Sequence, residues 1–597
     1  MPPLRDSPSR TAITTSNRRA EYFFIAVLAT VAVVAASSQF HFKRCFVVVR
    51  SPIIPMNLVE LELRLRWILW AGAIALACVV LASRFAPEAL RTRLGSLRTA
   101  WEERASKALQ SHFHASVWIL ALAFSAIGAF QKFLQWYSLT LNAQDFWLFE
   151  DMLRSLVKGV PFLTHFAPQT TGLMQHGAVH PFWSLYGFLP LTWLFGSTLT
   201  ALLLAPLALA FAAVVLANLA KPLWGPLGAW IVAFCFLSST QVGRILGYDV
   251  HPEVVYPFSV LLTCWGLGVA DGKLRHWAWM AGILLGFGTK VDAPFILFPV
   301  LLWFAASVWQ KRAKTQLFSS VAAILLGSAI STVLFLSIRR FSTGEWGVQE
   351  FSGMAVQLPS AMPYLRAVDL DITSVLRKIA FFLVSRPWLS LLIFAPWVSL
   401  KARFWFWVLP IAAVLATLGG QPATLVNYYS ASLLGGFWLA VALMPGKRSW
   451  LLFSVLALGS GAPFFTVPSS AAQDLRSHTQ ALLKCLPSSN AKGIVSPALI
   501  GVLRTPFGET GFEETILSEK FPPPTHSMWK SINYLLLTPT ISRWEMNPEQ
   551  VRGMIEKMTS EPSVNGPSWQ EVSENCTRSA IAVDRLSGKD VVLLVKN

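Results

Sequence analysis

Acidic side chains stand out in one connector of an otherwise apolar chain, residues 144–151, which reads Gln-Asp-Phe-Trp-Leu-Phe-Glu-Asp. A carboxylate at such a place can act as a general base or bind a metal ion. If a helix begins there, Asp145 would lie near its N-terminus, where the helix dipole favours an anion. We therefore take Asp145 and Glu150 as catalytic candidates, and Asp145 also as a metal-ligand candidate. A solvated or helix-capping acid is the alternative for each.

Further candidates lie in three later connectors, near 175–181, 244–253 and 289–294. The catalytic candidates there are His180, Asp249 and His251, and the substrate-binding candidates are Lys290, Asp292 and Arg244. Charged groups at a bilayer surface are costly to bury alone, so we expect Lys290 and Asp292 to face a ligand or a partner. A structural ion pair between these two residues is the alternative.

These residue types together suit transfer chemistry on a phosphate-linked substrate. A carboxylate base can deprotonate an acceptor hydroxyl while cations hold a lipid-phosphate leaving group. His176 and His180 have helical HxxxH spacing, but Gly177 and Pro181 argue against a helix there. The spacing of the acids and histidines specifies no metal. A divalent ion bound by Asp145 and a second acid is therefore a cofactor hypothesis, and the cofactor is otherwise unassigned.

The composition is typical of a membrane protein. Of the 597 residues, 54% are hydrophobic and only 13% are charged, against about 25% charged residues in soluble proteins. The formal net charge is +18, and all of the excess precedes Pro468. Such an excess is typical of cytoplasmic loops. No basic run is interleaved with base-stacking aromatic residues, so we do not expect nucleic-acid binding.

Apolar runs long enough to cross a bilayer recur along the first 467 residues, and we predict about thirteen transmembrane helices. They lie near 21–40, 67–84, 114–135, 197–218, 223–241, 254–271, 275–289, 293–310, 317–338, 380–399, 403–419, 429–445 and 450–467. The first run, which follows two arginines, could instead be a cleaved signal peptide.

Orientation follows from the basic residues in the short connectors, which mark the cytoplasmic face. After residue 113 these are Lys221, Lys273, Arg275, Lys311, Arg312, Lys314, Lys401, Arg403, Lys447 and Arg448. The outer side then holds two long connectors, 136–196 and 339–379, and the tail. We divide the chain into an N-terminal extension with two spans and a basic connector (1–113), a membrane core (114–467) and an extracytoplasmic domain (468–597).

The tail alternates β-rich and helical sequence, which predicts a small α/β domain. Residues 531–537 are expected to form a strand, and 578–584 to pair with 590–595 as a hairpin across a Ser-Gly turn. Cys485 and Cys576 both lie in this tail. Outside the cytoplasm they could form a disulfide, and two unpaired thiols are the alternative.

The arrangement of these motifs over residues 115–440 resembles a bacterial family of predicted membrane proteins, domain of unknown function 2079 (DUF2079), which is grouped with the GT-C glycosyltransferases. The resemblance rests on an acid after a core span, a His-to-Pro stretch, an Asp-x-His-Pro turn and a lysine followed by an acid. The matching residues are Asp145, Glu150, His180, Pro190, Asp249, His251, Pro252, Lys290 and Asp292.

The resemblance implies a GT-C-like, α-helical polytopic protein of the bacterial cytoplasmic (inner) membrane. Enzymes of this class transfer a sugar, with inversion, from a polyprenyl-phosphate donor to an extracytoplasmic acceptor. An outer-loop aspartate is the base, sometimes with a metal. Membrane lipids and the lipid-linked donor would be the partners, and the acceptor is unassigned. The alternatives are a lipid or solute transporter and a non-catalytic membrane scaffold whose tail binds a partner.

Overall fold

The computed structural model describes residues 87–137, 141, 144–159, 182–248, 250–269, 272–290, 293–309, 395–418 and 431–446, and parts of 318–337, 373–392, 451–516 and 532–596. The predicted spans 21–40 and 67–84, and nearly all of 450–467, lie outside the described residues. So do most of the outer connector 339–379 and large parts of the predicted spans 317–338 and 380–399. The count of about thirteen spans therefore stays a prediction.

Helices make up the described part of the first 446 residues. They are α1 (Glu88–Tyr137), α2 (Gln144–Val157), α3 (Leu189–Phe195), α4 (Ser197–Leu237), α5 (Thr240–Gly247), α6 (Tyr256–Gly268), α7 (Gly272–Phe287), α8 (Ala293–Trp309), α9 (Pro396–Ser399), α10 (Ala402–Leu418) and α11 (Ala431–Leu443). Short 3₁₀ helices precede α3 and α6, at Trp183–Phe188 and Pro252–Val255.

Two segments of the described chain are long and apolar enough to cross a membrane, Glu102–Tyr137 within α1 and Ser197–Leu237. Trp118, Ile119 and Leu122 of α1 are largely exposed, and large apolar side chains on an outer surface are typical of contact with lipid or another protein. The backbone of α1 departs from helical geometry at His112. That break falls where the basic connector was predicted to end and the span to begin.

Helix α4 contains two predicted spans, 197–218 and 223–241, joined at an interruption. Gly225 has a positive φ of 68°, which glycine adopts without steric cost. Pro222 and Pro226 flank it and disfavour a regular helix there. The sequence predicted a break close to this point, and the structure places it at Gly225.

Helices α6 and α7 pack at close range through small residues. A Cβ atom on Gly282 would lie 2.4 Å from the Thr263 hydroxyl oxygen and 2.7 Å from its backbone nitrogen. The Ser259 hydroxyl donates a 2.7 Å hydrogen bond to the Gly282 carbonyl. Small residues and interhelical hydrogen bonds of this kind let helix backbones approach in a bilayer. This contact fixes the two helices whose ends carry the site described below.

The described residues of the C-terminal part form helix α12 (Ser470–Leu483), the short helix α13 (Ile500–Leu503) and eight strands. The strands are β1 (Lys492–Val495), β2 (Arg504–Thr505), β3 (Gly508–Glu509), β4 (Glu513–Ile516), β5 (Tyr534–Leu537), β6 (Trp569–Val572), β7 (Arg578–Ser579) and β8 (Val592–Lys596). Six of them form one mixed sheet in the order β4-β1-β5-β8-β6-β7. The central strands β5 and β8 are buried at nearly every position, as expected for strands covered on both faces.

The predicted strand at 531–537 corresponds to β5, but the predicted hairpin is wrong for the residues described. Strand β7 pairs with β6, and β8 lies between β5 and β6. The turn between β6 and β7 is short and is closed by a 3.0 Å bond from the Ser573 amide to the Thr577 carbonyl. A short loop closes at low entropic cost, but the loop of the predicted hairpin would have been equally short, so burial of the apolar strand β8 decides the pairing. The apolar strand β8 takes a central place instead.

Candidate functional site

A buried carboxylate, Glu253, joins two of the predicted site residues at one end of the helices. The Lys290 ammonium lies 2.8 Å from Glu253 Oε1, and His251 Nδ1 contacts Glu253 Oε2. Glu253 and His251 are 2% and 6% exposed, respectively. An ionised carboxylate at this depth needs a cation and hydrogen-bond donors. Lys290 supplies the charge, so the three groups form one unit, here called the Glu253 cluster.

Two tight turns bring the members of the Glu253 cluster together. Pro252 follows His251 and begins the 3₁₀ helix that carries Glu253, since proline suits a first helical position. Lys290 lies between α7 and α8, where its carbonyl accepts a 3.1 Å hydrogen bond from the Ala293 amide. Both turns therefore lie at helix ends, where polar side chains can leave the apolar interior.

Helix α2 packs against this cluster and adds a second buried acid. The Phe149 ring meets the His251 ring edge-on, with centroids 5.0 Å apart. The adjacent Glu150 is 1% exposed and accepts hydrogen bonds from the hydroxyls of Ser197 and Thr198, the latter at 3.2 Å. Both hydroxyls belong to the first turn of α4, whose N-terminal dipole favours a nearby anion.

Asp145 is the second residue of α2, so the backbone places it at a helix N-terminus, as the sequence predicted. Its side chain lies outside the described part of the structure. The neighbouring acid Asp151 is fully buried and pairs with Arg154 one turn later.

Helix α1 holds the backbone that leads into the Asp-x-His-Pro turn. The Lys132 ammonium donates to the Tyr248 carbonyl, and the Gln135 amide donates to the Gly247 carbonyl at 3.1 Å. Lys132 is fully buried inside the predicted span 114–135. The sequence signal for it was a lysine within an apolar run, which is costly in a membrane and marks a functional or structural contact.

The segment after His180 also reaches the Lys290 turn. The Ser184 amide donates to the Gly288 carbonyl at 3.1 Å, and a Cβ on Gly288 would collide with the Trp183 ring. The Ser184 hydroxyl is buried and makes no hydrogen bond within the part of the chain that the structure describes. Donor groups therefore accompany Lys290 at this turn.

The structure thus brings Glu150, His251 and Lys290 to one end of the helices. It gives Lys290 a partner in Glu253, and the predicted pairing of Lys290 with Asp292 falls outside the described residues. Arg244 lies in α5, half-buried and one turn before Gly247. Three predicted site residues lie outside the described residues, namely His180, Asp249 and Asp292. The catalytic or binding role of every predicted site residue stays a prediction.

Sequence reasoning missed Glu253 and Lys132 as members of the site. Glu253 was visible as the acid that follows the Asp-x-His-Pro turn. Within the described ranges, no three His, Cys, Asp or Glu side chains come close enough to bind one metal ion. Glu253 is paired with a lysine and Glu150 with two hydroxyls. The hypothesis of a divalent ion at Asp145 stays a prediction, because that side chain is not among the described ones.

Apolar helices that pack through small residues, with ionised groups gathered at one end, define a helical membrane protein. The family model for DUF2079, described as a predicted membrane protein, matches residues 135–458. This match spans more than half of the chain and includes every predicted site residue. The chain belongs to the DUF2079 family.

Comparisons with curated proteins and with solved structures say less about the chain than the family model does. No curated protein matches the sequence. Among solved structures, ArnT from Cupriavidus metallidurans bound to undecaprenyl phosphate is similar at 12% sequence identity and a TM-score of 0.35. The match covers 80% of this chain and 97% of that chain. A likeness this distant assigns neither a fold nor a substrate.

Proposed function

We propose that the protein is an integral-membrane glycosyltransferase of the GT-C type, which transfers a sugar from a polyprenyl-phosphate donor to an extracytoplasmic acceptor. The observation that carries the proposal is the Glu253 cluster. It places a buried carboxylate, a lysine and a histidine together, beside a second buried acid, at one end of apolar helices. Buried ionisable groups in a membrane protein mark functional sites more often than packing requires them.

Lys290 would bind the donor phosphate. An ammonium carries three N–H donors, and Glu253 Oε1 accepts one of them. This bond holds the lysine at a fixed place. The Ser184 hydroxyl and the Trp183 indole lie against the same turn and would complete the phosphate contacts. Charge-assisted hydrogen bonds of this kind are about twice as strong as neutral ones.

Asp145 would act as the general base on the acceptor. It would take the proton of the acceptor hydroxyl as the hydroxyl oxygen forms a bond to the anomeric carbon of the sugar. The bond between that carbon and the phosphate oxygen then breaks, and the polyprenyl phosphate leaves with both electrons beside Lys290. Attack opposite the leaving group inverts the anomeric carbon. His251, held by Glu253 on one side and Phe149 on the other, would line the sugar site.

The outer side of the membrane is the side we propose for this reaction. Helix α1 ends at Tyr137 beside the site, and Arg476 of the C-terminal part binds the carbonyls of Trp136 and Tyr137. The C-terminal part therefore shares the side of the site. It contains a disulfide between Cys485 and Cys576, and such bonds persist in oxidising compartments. The basic connectors agree with this side, because they favour a cytoplasmic location for the helix ends opposite the site.

Sugar transfer by the purified protein in liposomes tests the proposal. A panel of polyprenyl-phosphate sugars would be offered to the wild type, to Asp145→Asn and to Lys290→Met. The matched control is Glu103→Gln, an exposed acid of α1 far along the helix from the site. We expect transfer or donor hydrolysis in the wild type and the control, and a loss in both site variants.

Full activity of Asp145→Asn would show that its role as base is wrong. Absence of turnover with every donor, in protein that remains folded, would put the transporter and scaffold alternatives ahead. Counterflow of labelled lipid in the same liposomes would then separate those two.

A further inference from the structure

Arg476 of α12 binds the end of α1, about 340 residues earlier in the chain. Its Nη2 donates to the Trp136 carbonyl at 3.2 Å, and its Nε donates to the Tyr137 carbonyl at 3.3 Å. Its Nη1 donates to the Gly501 carbonyl at 3.1 Å. The guanidinium also lies 4.6 Å from the Trp136 ring centroid and 5.1 Å from that of Tyr137.

These contacts suit the chemistry of a helix C-terminus. The last carbonyls of a helix have no partner within the helix and carry partial negative charge. A guanidinium satisfies several of them at once because its donors lie in a fixed plane that can also stack on aromatic rings. Burial lowers the pKa of Arg476 to about 10, with Tyr137 opposing the shift. Arg476 therefore stays protonated at neutral pH.

The end of α1 that Arg476 binds also holds the candidate site. Lys132 and Gln135 donate to the carbonyls of Tyr248 and Gly247, three and four residues before His251. Lys132 and Trp136 are one helical turn apart, about 6 Å along the axis. A shift of this helix end moves both contacts, because the same backbone carries them.

We infer that Arg476 is a positioning residue of the candidate site: it holds the C-terminal domain on the last turn of α1 and thereby fixes the helix end that orients the 247–253 turn. The domain is then a part of the site rather than a separate module on a tether. The expected effect on catalysis rests on the proposed function, whereas the effect on the turn does not.

Hydrogen exchange in the full-length protein in nanodiscs tests the inference directly. Two amides report on the turn, Tyr248, which donates to the Arg244 carbonyl at 3.0 Å, and Val254, which donates to the His251 carbonyl at 3.2 Å. In Arg476→Met we expect both to exchange about tenfold faster, since a local opening becomes less costly. The amides of α6 and α7 should keep their wild-type rates.

Two further variants make the test specific. Arg476→Lys keeps the positive charge but lacks the planar guanidinium with its several donors. It should therefore retain part of the wild-type protection of the Tyr248 and Val254 amides from exchange. Lys484→Met removes an exposed cation just after the same helix and should exchange like the wild type. Unchanged exchange at Tyr248 and Val254 in Arg476→Met would overturn the inference. Faster exchange throughout the protein would also overturn it, because it would indicate general unfolding.

Sugar transfer supplies the second readout. Arg476→Met should lower kcat roughly tenfold and leave the KM for the lipid donor nearly unchanged, because Lys290 and its partner remain. An equal loss of kcat in Lys484→Met would contradict the inference. If the wild type transfers no sugar, the proposed function fails while the exchange data still decide whether Arg476 positions the turn.

Discussion

Removal of the Glu253 charge should destabilise the protein strongly. In Glu253→Gln the shape of the side chain stays, but Lys290 keeps a positive charge at a side chain only 16% exposed. His251 loses its carboxylate partner as well. Breaking a buried ion pair by removal of one partner costs about 3 to 5 kcal/mol. Because Lys290 reaches some solvent, we expect the lower end, about 3 kcal/mol.

A double-mutant cycle isolates the ion pair from other effects of the substitution. The second variant is Lys290→Met, which keeps the length of the stem and removes the ammonium. Glu253→Gln with Lys290→Met leaves no unpaired charge, so it should be more stable than Glu253→Gln alone. We expect a coupling free energy of about 2 kcal/mol, within the range measured for contacting residues.

Unfolding in mixed micelles, followed by tryptophan fluorescence, measures these free energies. A loss of 3 kcal/mol lowers the folding equilibrium constant roughly a hundredfold. A wild-type stability for Glu253→Gln would refute the view that the Glu253 cluster is an ionised, buried unit. A double variant as unstable as the sum of the single variants would refute the pairing of Glu253 with Lys290.

Three other changes test separate parts of the structure. Ser197→Ala with Thr198→Val removes both hydroxyl donors of the buried Glu150 and should cost roughly 2 to 4 kcal/mol in the same unfolding assay; either single change should cost less. Gly282→Ala forces a methyl group against the backbone of α6 and should cost about 1 to 3 kcal/mol. Gly247→Ala, where nothing lies within 4 Å of the added carbon, should leave the melting temperature nearly unchanged. Cys485→Ser removes a disulfide that spans 91 residues and should lower the free energy of unfolding by about 2 to 5 kcal/mol. A reductant should then lower the melting temperature of the wild type but not that of this variant.

The sequence predicted much of the helical part because its signals are local. Apolar runs predicted α6 to within a few residues, and the division between the runs 197–218 and 223–241 predicted an interruption close to the break in α4. The Asp-x-His-Pro and Lys-x-Asp motifs were expected to contribute to the same site. The structure brings His251 of the first and Lys290 of the second to the same carboxylate.

The partner of Lys290 could not be read from the sequence. Three acids, Asp249, Glu253 and Asp292, lie close to the motifs, and their order along the chain favours Asp292. Glu253 reaches the lysine from the 3₁₀ helix after Pro252, and the rotation of that helix depends on packing between helices. The same limit applies to Arg476, because a contact across 340 residues leaves no periodicity in the sequence.

The tail shows how pairing depends on competition between strands. Residues 578–579 and 592–596 both have strand-forming sequence, and proximity along the chain favoured pairing them with each other. Burial of the apolar strand β8 between β5 and β6 changes the outcome. Local sequence predicts the strands, whereas burial decides their order.

The contacts of Lys132 and Arg476 impose an order on the biogenesis of the protein. When α1 leaves the ribosome, the Lys132 ammonium has no carbonyl of Tyr248 to bind, since that residue comes 116 positions later. A lysine in an apolar helix is then held near the interface by its long stem, and α1 can settle only after α5 has been inserted. The end of α1 is completed later still, when Arg476 has been synthesised and binds the Trp136 carbonyl. A ribosome stalled before residue 476 would therefore leave a protein whose helices are inserted but whose candidate site is unfinished.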